Sequence, residues 1–407
     1  MALPESVEDV MAVVELAGRK GLRIAAQCTG HNAAPLGSLE GTILLKTSRM
    51  RRVEIDPVAR TARVEAGVLW AEVSEAAAEH GLAPLAGTSL DVGVVGHTLG
   101  GGVSWLARMY GLASNSVVAV ELVTADAGFV RADRDNEPEL FWALRGGGGS
   151  FGIATALEFA LFPVTEVYAG VLFWPIARAA EVLAAWREWV DTVPDEVTSV
   201  GRLLQFPPIP DLPVFLRGRS FVVVEATVLA DEAVASEIMG TLRNLGPELD
   251  TFSLIAPTSL TALHMDPEHP VPGAGDGGML SDLTAEAIDA MVETVVGSPL
   301  LTFELRHLGG ALAVAAPEHG ALALLEGRFV YFAAGIAPTP EAKVAVETHV
   351  ELVKAGLEPW DAGRTFVSFM EKPTNPRRFY AKDTYRRLRA IKARVDPRDL
   401  FRANHPI

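Results

Sequence analysis

The run GGGGSFGI at residues 146–153 constrains the fold more than any other feature of the chain. From Gly147 to Gly152 it reads G-x-G-x-x-G, a fingerprint that binds dinucleotides only when a strand precedes it and a helix follows it. The surrounding pattern predicts the reverse order, with a helix over 137–144 and a strand over 153–162. The sequence therefore argues against a Rossmann site. Four consecutive glycines still allow close backbone approach to a ligand, or simply a tight helix–strand connection.

Two further glycine-bearing loops precede this run. The segment QCTGHN at 27–32 follows a predicted strand, and its small residues leave amide groups that can form an anion-binding nest. Its histidine, His31, suits a ligand, a base or an attachment point, and equally a solvated or capping residue. The segment VGHTLGGG at 95–102 sets three glycines beside His97, a pattern that also suits a turn packed on the core. Taken together, three such loops favour one extended ligand of the dinucleotide class.

Composition limits the class of protein. A chain of 407 residues with 49% hydrophobic residues is expected to form two domains, or at most three, with sizeable cores. Its net charge of −16 repels phosphate backbones and anionic membranes, so we expect no nucleic acid and no membrane as partners. A single cysteine excludes an internal disulfide and a multi-cysteine metal site, and we expect no metal. Without a recognisable signal peptide or membrane-length apolar run, a cytoplasmic location is expected.

Short strands and helices mix irregularly along the chain, which favours an α+β fold over a doubly wound sheet. Beyond Pro163 the periodicity predicts a second domain, an antiparallel sheet covered by helices. Its predicted strands are 167–173, 221–229, 300–306 and 328–334, and its predicted helices are 177–190, 232–245, 284–296 and 340–355. The stretch 264–279 is so rich in proline and glycine that we predict a loop without regular structure, a kind of loop that is often functional.

These segments together resemble a known family. The whole chain resembles the FAD-linked oxidases of the vanillyl-alcohol-oxidase type, which have a PCMH-type FAD domain, and specifically their bacterial berberine-bridge-enzyme-like branch. The resemblance runs through PESVEDV, TGH, GHTLGGG…YGLASNSVVAVELVTADAG, ELFWALRGGGGSFGIAT and YRRLRAIKARVDPRDLFRANHPI. It implies a two-subdomain FAD-binding domain in 1–163, a substrate-binding domain in 164–360, and a C-terminal berberine-bridge-like segment in 361–407 that returns to the FAD domain. Relatives carry a further stretch before this start, so we expect either a misplaced start or a lost domain edge.

The cofactor implied by the resemblance is FAD, with its pyrophosphate cradled by the loop at 27–33. His31 stands where such enzymes attach the flavin 8α-carbon. Many relatives make a second bond from a cysteine where this chain has Ser89, so we expect a single covalent bond at His31. The resemblance implies the following cofactor-binding residues: Gln27, Cys28, Thr29, Gly30, His31, Asn32, Ala33, Gly87, Thr88, Ser89, Val92, Gly93, Gly96, His97, Gly100, Gly101, Gly102, Asn115, Val118, Gly149, Gly152, Ile153 and Asn404.

The catalytic base is where the chain departs from the family. Relatives often carry a tyrosine base in a Tyr-x-Asn motif, and the matching positions here are Phe366 and Ser368. A phenylalanine has no proton to exchange, so proton abstraction of the usual kind is in doubt. The position of a second active-site tyrosine is also changed, to valine at 103. The candidates that remain beside Phe366 are Tyr331, Tyr380, Arg306 and His307, although the last two also suit a role in bracing the sheet.

The favoured hypothesis is a FAD-dependent oxidase. It would pass hydride from a small organic substrate, a secondary metabolite rather than a charged sugar, to flavin N5 and then electrons to O₂. Val94 occupies the place where relatives have a small side chain that leaves room for oxygen. The alternative is a flavin-binding protein with a degenerate oxidase site, acting as a small-molecule binder or a non-redox cyclase. A third hypothesis, a FAD-binding subunit of a larger dehydrogenase, requires a partner.

Overall fold

The computed structural model describes residues 1–89, 91–210, 212–266 and 271–407. The chain divides into two compact units. Unit 1 comprises Met1–Thr165, Val314–Leu324 and Lys372–Ile407, and unit 2 comprises Glu166–Ala313 and Leu325–Glu371. The boundaries predicted from the sequence fall after residues 163 and 360, and the return of 314–324 to unit 1 is not predicted. Mixed helices and sheets confirm the predicted α+β class.

The first part of unit 1 contains two sheets with helices against them. A parallel pair joins β1 (Arg23–Gln27) to β2 (Thr42–Lys46). The five-stranded sheet has the order β3-β4-β7-β5-β6 and is antiparallel throughout, formed by β3 (Val53–Asp56), β4 (Thr61–Glu65), β5 (Val117–Val123), β6 (Phe129–Asp133) and β7 (Ile153–Ala160). The helices are α1 (Val7–Lys20), α2 (Trp70–Ala78), α3 (Val94–Leu99), α4 (Ala107–Tyr110) and α5 (Pro138–Leu144).

Helix α1 shows how local sequence sets these elements. The Ser6 side chain caps its first turn, and Gly21, with φ of 65°, ends it in a left-handed conformation that favours glycine. Its apolar residues recur at helical spacing, so Val10, Val14 and Ala17 are buried on one face. The predicted order around the four glycines is confirmed, because α5 ends before them and β7 begins after them.

Unit 2 is one antiparallel sheet with helices packed on it. The strand order is β11-β8-β10-β9-β14-β15-β13, with β12 paired to β8. The strands are β8 (Val167–Pro175), β9 (Val197–Gln205), β10 (Ser220–Val228), β11 (Leu249–Asp250), β12 (Ser253–Ile255), β13 (Gly273–Leu280), β14 (Thr302–His307) and β15 (Phe329–Ile336). The helices are α6 (Ala179–Val190), α7 (Glu232–Arg243), α8 (Ala285–Val295) and α9 (Pro340–Leu357).

The two faces of this sheet differ in chemistry, because successive strand residues point to opposite sides. One face joins the helices in the main apolar core, which includes Trp186 on α6, Leu203 on β9 and Phe303 on β14. The alternate residues lie on the opposite side, which we call the distal face and define by Arg202, Glu225, Glu304, Arg306 and Phe332. A smaller apolar cluster, Val171, Phe173, Leu204, Phe221 and Val223, lies on the same side.

One sequence prediction in unit 2 is wrong. The stretch 264–279 is predicted as a loop, but β13 begins at Gly273 and pairs with β15 along its length. The glycines there serve close packing. A Cβ at Gly278 would lie 2.5 Å from the Tyr331 hydroxyl oxygen, and one at Gly277 would lie 2.6 Å from the carbonyl oxygen of Phe369. Residues 267–270 of the predicted loop lie outside the described residues.

After unit 2 the chain returns to unit 1 through α10 (Lys382–Val395) and the terminal stretch. Ile24 of β1 exchanges backbone hydrogen bonds with this stretch, donating to Leu400 and accepting from Arg402. The buried Lys392 ammonium donates to the carbonyl oxygens of Ser150 and Phe401 and to the Asp396 carboxylate. Among the described residues, no helix is long and apolar enough to cross a membrane.

Candidate functional site

The loop after β1 is held from the C-terminal stretch. Asn404 donates from Nδ2 to the side-chain oxygen of Asn32 at 2.7 Å and to its carbonyl oxygen at 3.2 Å. Gly30 has φ of 88°, and a Cβ there would overlap the Gln27 amide at 1.9 Å. Backbone conformation and the C-terminal anchor therefore fix the loop on both sides of His31, whose side chain is itself exposed.

Cys28 marks where this loop meets the next one. A Cβ on Gly93 would lie 2.8 Å from the Cys28 sulfur, so only glycine allows this approach. Burial raises the pKa of the Cys28 thiol, and a hydrogen bond with Thr47 opposes that rise only in part. A thiol kept neutral by burial is a small packing group rather than a nucleophile.

His97 packs between two glycine positions of unit 1. A Cβ on Gly87 would lie 3.2 Å from its Nε2 atom, and a Cβ on Gly102 would lie 2.7 Å from its Cε1 atom. Its ring also meets the edge of Trp70, with 5.5 Å between ring centroids. The φ values of Gly101 and Gly102, 114° and 75°, lie in the region that favours glycine. The imidazole thus fills the space that these glycines leave.

The third loop joins the second directly. The Gly148 N–H donates to the Leu99 carbonyl oxygen at 2.9 Å, and Gly148 has φ of 73°. A Cβ on Gly147 would lie 2.2 Å from the Ala143 carbonyl oxygen, and one on Gly152 would lie 2.6 Å from Leu122. Packing inside unit 1 therefore explains most glycines of GGGGSFGI without any ligand.

Two polar side chains brace this third loop and the segment beside it. The buried Tyr380 hydroxyl donates to the Gly146 carbonyl oxygen at 2.9 Å, and burial raises its pKa. Asn115 accepts from the Gly320 N–H at 3.1 Å and donates to the Ala323 carbonyl oxygen at 3.3 Å. Both residues hold backbone within unit 1, and this geometry favours bracing over proton transfer for Tyr380.

Exposed backbone remains where the loops come together. Gly96 and Gly149 are exposed, and a Cβ on either would meet no described atom within 4 Å. Bare glycine backbone on two of these contacting loops fits a flat, extended cofactor, because amides supply donors and no side chain blocks the approach. The other predicted cofactor residues divide by burial: Gly87, Ser89, Gly93, Gly100, Gly101, Gly102, Gly152 and Ile153 are buried, Cys28, Ala33, Thr88 and Val92 are half-buried, and Thr29 and Val118 are exposed.

In unit 2 the structure separates two adjacent candidates. Arg306 and His307 are consecutive on β14 and therefore point to opposite faces of the sheet. Arg306 lies on the distal face, with its guanidinium 5.1 Å from the centre of the Phe369 ring. His307 lies on the helix-covered face, 6.0 Å from the Phe329 ring centre. Arg306 and His307 therefore cannot contact the same ligand group from one face of the sheet.

A chain of charged side chains runs across the distal face. Arg202 on β9 donates to Glu225 on β10 at 2.6 Å. His264 lies between two carboxylates, 2.6 Å from Glu225 through Nδ1 and 2.5 Å from Glu304 through Nε2. Arg306 then donates from Nε to the other oxygen of Glu304 at 2.9 Å. We call these five residues the charge network.

The charge network is buried, which sets its ionisation. Burial alone raises the pKa of Glu304, but Arg306 and His264 outweigh it and hold that pKa well below its usual range. Burial and Arg202 favour the neutral form of His264, yet the two carboxylates prevail and raise its pKa. Geometry agrees, because an ionised carboxylate only accepts, so each ring nitrogen facing one must carry a proton.

Phenylalanine rings complete the distal face. Phe366 is 1% exposed and lies 5.7 Å from the Phe369 ring. Phe369 meets Phe332 edge to face at 6.1 Å, and both are half-buried. We call Phe332, Phe366 and Phe369 the aromatic patch. It carries no proton to exchange, and the Arg306 guanidinium is the cation that borders it at ring-contact distance.

Sequence reasoning missed most of the charge network. Arg202, Glu225, His264 and Glu304 are far apart in the chain; strand pairing brings Arg202, Glu225 and Glu304 together, and His264 reaches them from a turn. The available signal was a charged residue inside an otherwise apolar strand, as in Glu225 within SFVVVEATV. Such a residue is buried only if it is paired, so it indicates a partner even when the partner is unknown.

Comparisons with known proteins match both ends of the chain to known families. Residues 1–133 match the family described as FAD binding domain, and residues 365–407 match the family described as berberine and berberine like. The chain is similar to (R)-6-hydroxynicotine oxidase of Paenarthrobacter nicotinovorans, with 28% identity over 99% of this chain and 89% of that protein. It is also similar to glucooligosaccharide oxidase of Sarocladium strictum, with 32% identity over 49% of this chain and 41% of that one.

A solved structure supports the same relationship. The fold matches that of 6-hydroxy-D-nicotine oxidase from Arthrobacter nicotinovorans with a TM-score of 0.86 and 25% identity. The match covers 98% of this chain and 90% of the other. The architecture of both units therefore has a counterpart in a solved protein.

Proposed function

Because this chain belongs to the FAD-linked oxidoreductases of the berberine-bridge-like family, we propose that unit 1 holds FAD covalently at His31 and that the distal face of unit 2 binds the substrate. The protein is a FAD-dependent oxidoreductase of the oxidase type. The observation that carries the proposal is the meeting of three glycine loops around exposed backbone, with His31 exposed on the first of them.

Unit 1 contributes orientation rather than reacting groups. Backbone amides of the loop at 27–33 would cradle the pyrophosphate, and the exposed glycines at 96 and 149 leave room for a flat ligand. When bound, FAD supplies hydride acceptance at N5 and electron transfer to O₂. The imidazole of His31 would hold the flavin through the single covalent bond, since Ser89 has no thiol for a second one.

Unit 2 contributes recognition of a small organic molecule. The aromatic patch offers rings against which an apolar or planar group packs, and Arg306 supplies a fixed positive charge beside them. Phe366 carries no proton, so the chain does not abstract a substrate proton there. This favours a substrate that gives up hydride without a strong base, such as an amine or an electron-rich ring.

The cofactor proposal is tested on purified protein. It should be yellow, and acid precipitation should leave the flavin in the pellet. His31→Ala should release flavin to the supernatant, while His80→Ala, a change at another exposed histidine of unit 1, should not. Flavin that leaves the wild-type protein on denaturation would refute the covalent bond and leave FAD binding intact.

A second function is favoured by one observation, the enclosure of Phe366 where relatives have a proton-exchanging tyrosine. The protein would then be a flavin-binding protein with a degenerate oxidase site that binds a small molecule or catalyses a non-redox cyclisation. Anaerobic mixing with amines, hydroxylated aromatics, alcohols and oligosaccharides separates the two functions. Bleaching of the flavin by any of them supports the oxidase; binding without bleaching across the panel supports the second function. Phe366→Tyr should raise alcohol oxidation only if this position serves the base.

A further inference from the structure

The charge network buries ionised side chains at positions that apolar side chains could fill. Arg202 and Glu304 have 6% of their side-chain area exposed and Glu225 has none. Removing so many charges from water is costly, and replacing a buried ion network by apolar residues is often neutral or stabilising. The network is therefore weak evidence for stability and better evidence for a role in setting geometry.

His264 is the link that connects the two halves of the network. It bonds Glu225 through one ring nitrogen and Glu304 through the other, and its carbonyl oxygen accepts from Arg202 at 2.7 Å. Glu304 in turn fixes Arg306, and Arg306 lies over the Phe369 ring. Every step from His264 to the aromatic patch is thus a direct contact within unit 2.

We propose that His264 is a positioning residue that orients the aromatic patch through Glu304 and Arg306, and that this patch receives a planar ring of the substrate. The inference rests on the proposed function, since it assumes that the distal face binds the substrate. Half-buried Phe332 and Phe369 supply ring surfaces against which a planar aromatic group can stack.

The linkage gives substrate binding a pH dependence. The charged groups around His264 are Arg202 on β9, Glu225 on β10, Glu304 and Arg306 on β14, and the exposed Asp266 that follows it. Because both ring nitrogens of His264 face carboxylates and its pKa is raised, the charged imidazole is stabilised and is lost only as pH rises through that pKa. Planar ligands should therefore bind less tightly on the alkaline side.

The test uses the flavin-loaded protein and 6-hydroxyquinoline as the planar probe, with maltose as the non-planar one. Binding is followed by the shift of the flavin absorbance, from neutral to alkaline pH. Wild type should bind 6-hydroxyquinoline and lose affinity at alkaline pH. His264→Gln should raise the Kd about tenfold, which is about 1.4 kcal/mol, and abolish the alkaline loss of affinity. His349→Gln, a partly buried histidine change on α9, should match wild type.

Further variants keep the idea testable if His264→Gln does not fold. Arg306→Gln should weaken 6-hydroxyquinoline binding to a similar extent, and the double variant should be no weaker than either single one. Phe369→Leu should raise the Kd about three- to tenfold while the alkaline loss of affinity remains. Equal binding of the probe by wild type and all three single variants, or tighter binding of maltose than of 6-hydroxyquinoline, would overturn the inference. Protein without flavin would instead refute the proposed function.

Discussion

The glycine loops of unit 1 and the distal face of unit 2 are built by opposite means. The loops are shaped by backbone, with Gly101, Gly102 and Gly148 in conformations that other residues rarely adopt. The distal face is shaped by side chains, and its charge network joins three strands and one loop through ionised groups. A backbone-built site suits a cofactor that the whole family shares, whereas a side-chain-built site can differ from one member to the next.

This contrast has an energetic consequence. Where a glycine makes a close contact, adding a side-chain atom should destabilise the fold, because the neighbouring atom is often a backbone carbonyl oxygen that cannot move away. Removing a single partner from a buried ion network should destabilise the fold, because the remaining charge is left without compensation. The two regions should therefore respond differently to additions and deletions of side-chain atoms, and to pH.

Arg202→Met should have the largest effect on stability. It removes the cation from Glu225, whose carboxylate is fully buried, and breaks a bond to the His264 carbonyl. Breaking one side of such a pair costs about 3–5 kcal/mol. Urea unfolding followed by near-ultraviolet circular dichroism measures it, with Arg19→Met as the control, since that guanidinium is 60% exposed beside Glu15. A loss as small as that of the control would show that the network is not held together by its charges.

Gly147→Ala should have the second-largest effect on stability. Its Cβ would lie 2.2 Å from the Ala143 carbonyl oxygen, so the loop must shift at a cost of about 1–3 kcal/mol. Gly149→Ala is the matched change in open space and should leave the melting temperature unchanged. If the cofactor lies against Gly149, this variant should nevertheless carry less flavin per protein. Equal melting temperatures for the two variants would contradict the packing argument.

Glu371 should make unit 2 respond to pH. Burial, and secondarily the Asp276 carboxylate, raise the pKa of Glu371 to about 7. A carboxyl with a raised pKa binds its proton more tightly when folded, so stability falls as pH rises from about 4.5 through 7. When the pH is raised from 5.5 to 8.5, the free energy of unfolding of Glu371→Gln should therefore increase by about 1–2 kcal/mol relative to that of wild type, after allowance for partial exposure. Urea midpoints at both pH values measure this, and Glu358→Gln, at an exposed position, should show no such gain.

The same contrast explains what the sequence could predict. Local patterns predict the helix-then-strand order around GGGGSFGI and the four helices α6 to α9 of unit 2, and both predictions are confirmed. The α+β class and the FAD-linked family are confirmed as well. The positions of individual cofactor contacts and the His31 bond stay predictions.

The features that the sequence did not predict depend on contacts with residues that lie far away in the chain. Strand β13 is glycine-rich because Tyr331 and Phe369 approach it, and those residues lie far along the chain. Strand β9 was missed for a similar reason, since Gly201 makes room for the Trp186 ring, 3.0 Å from its added Cβ. The charge network likewise depends on strand register, which residue spacing does not reveal.

Tyr380→Phe should have the smallest effect, and it separates two roles for a residue first selected as a candidate base. The hydroxyl donates to the Gly146 carbonyl oxygen, and burial raises its pKa, which keeps the phenol protonated at neutral pH and so unable to accept a proton from a substrate. Its loss removes one hydrogen bond, worth about 0.5–1.5 kcal/mol, and should lower kcat less than threefold. Steady-state oxygen consumption with any substrate found in the anaerobic panel measures kcat. Removal of a true base costs about 10²–10⁴-fold, so a hundredfold loss with flavin content unchanged would assign the base to Tyr380 and make the third glycine loop part of the catalytic machinery.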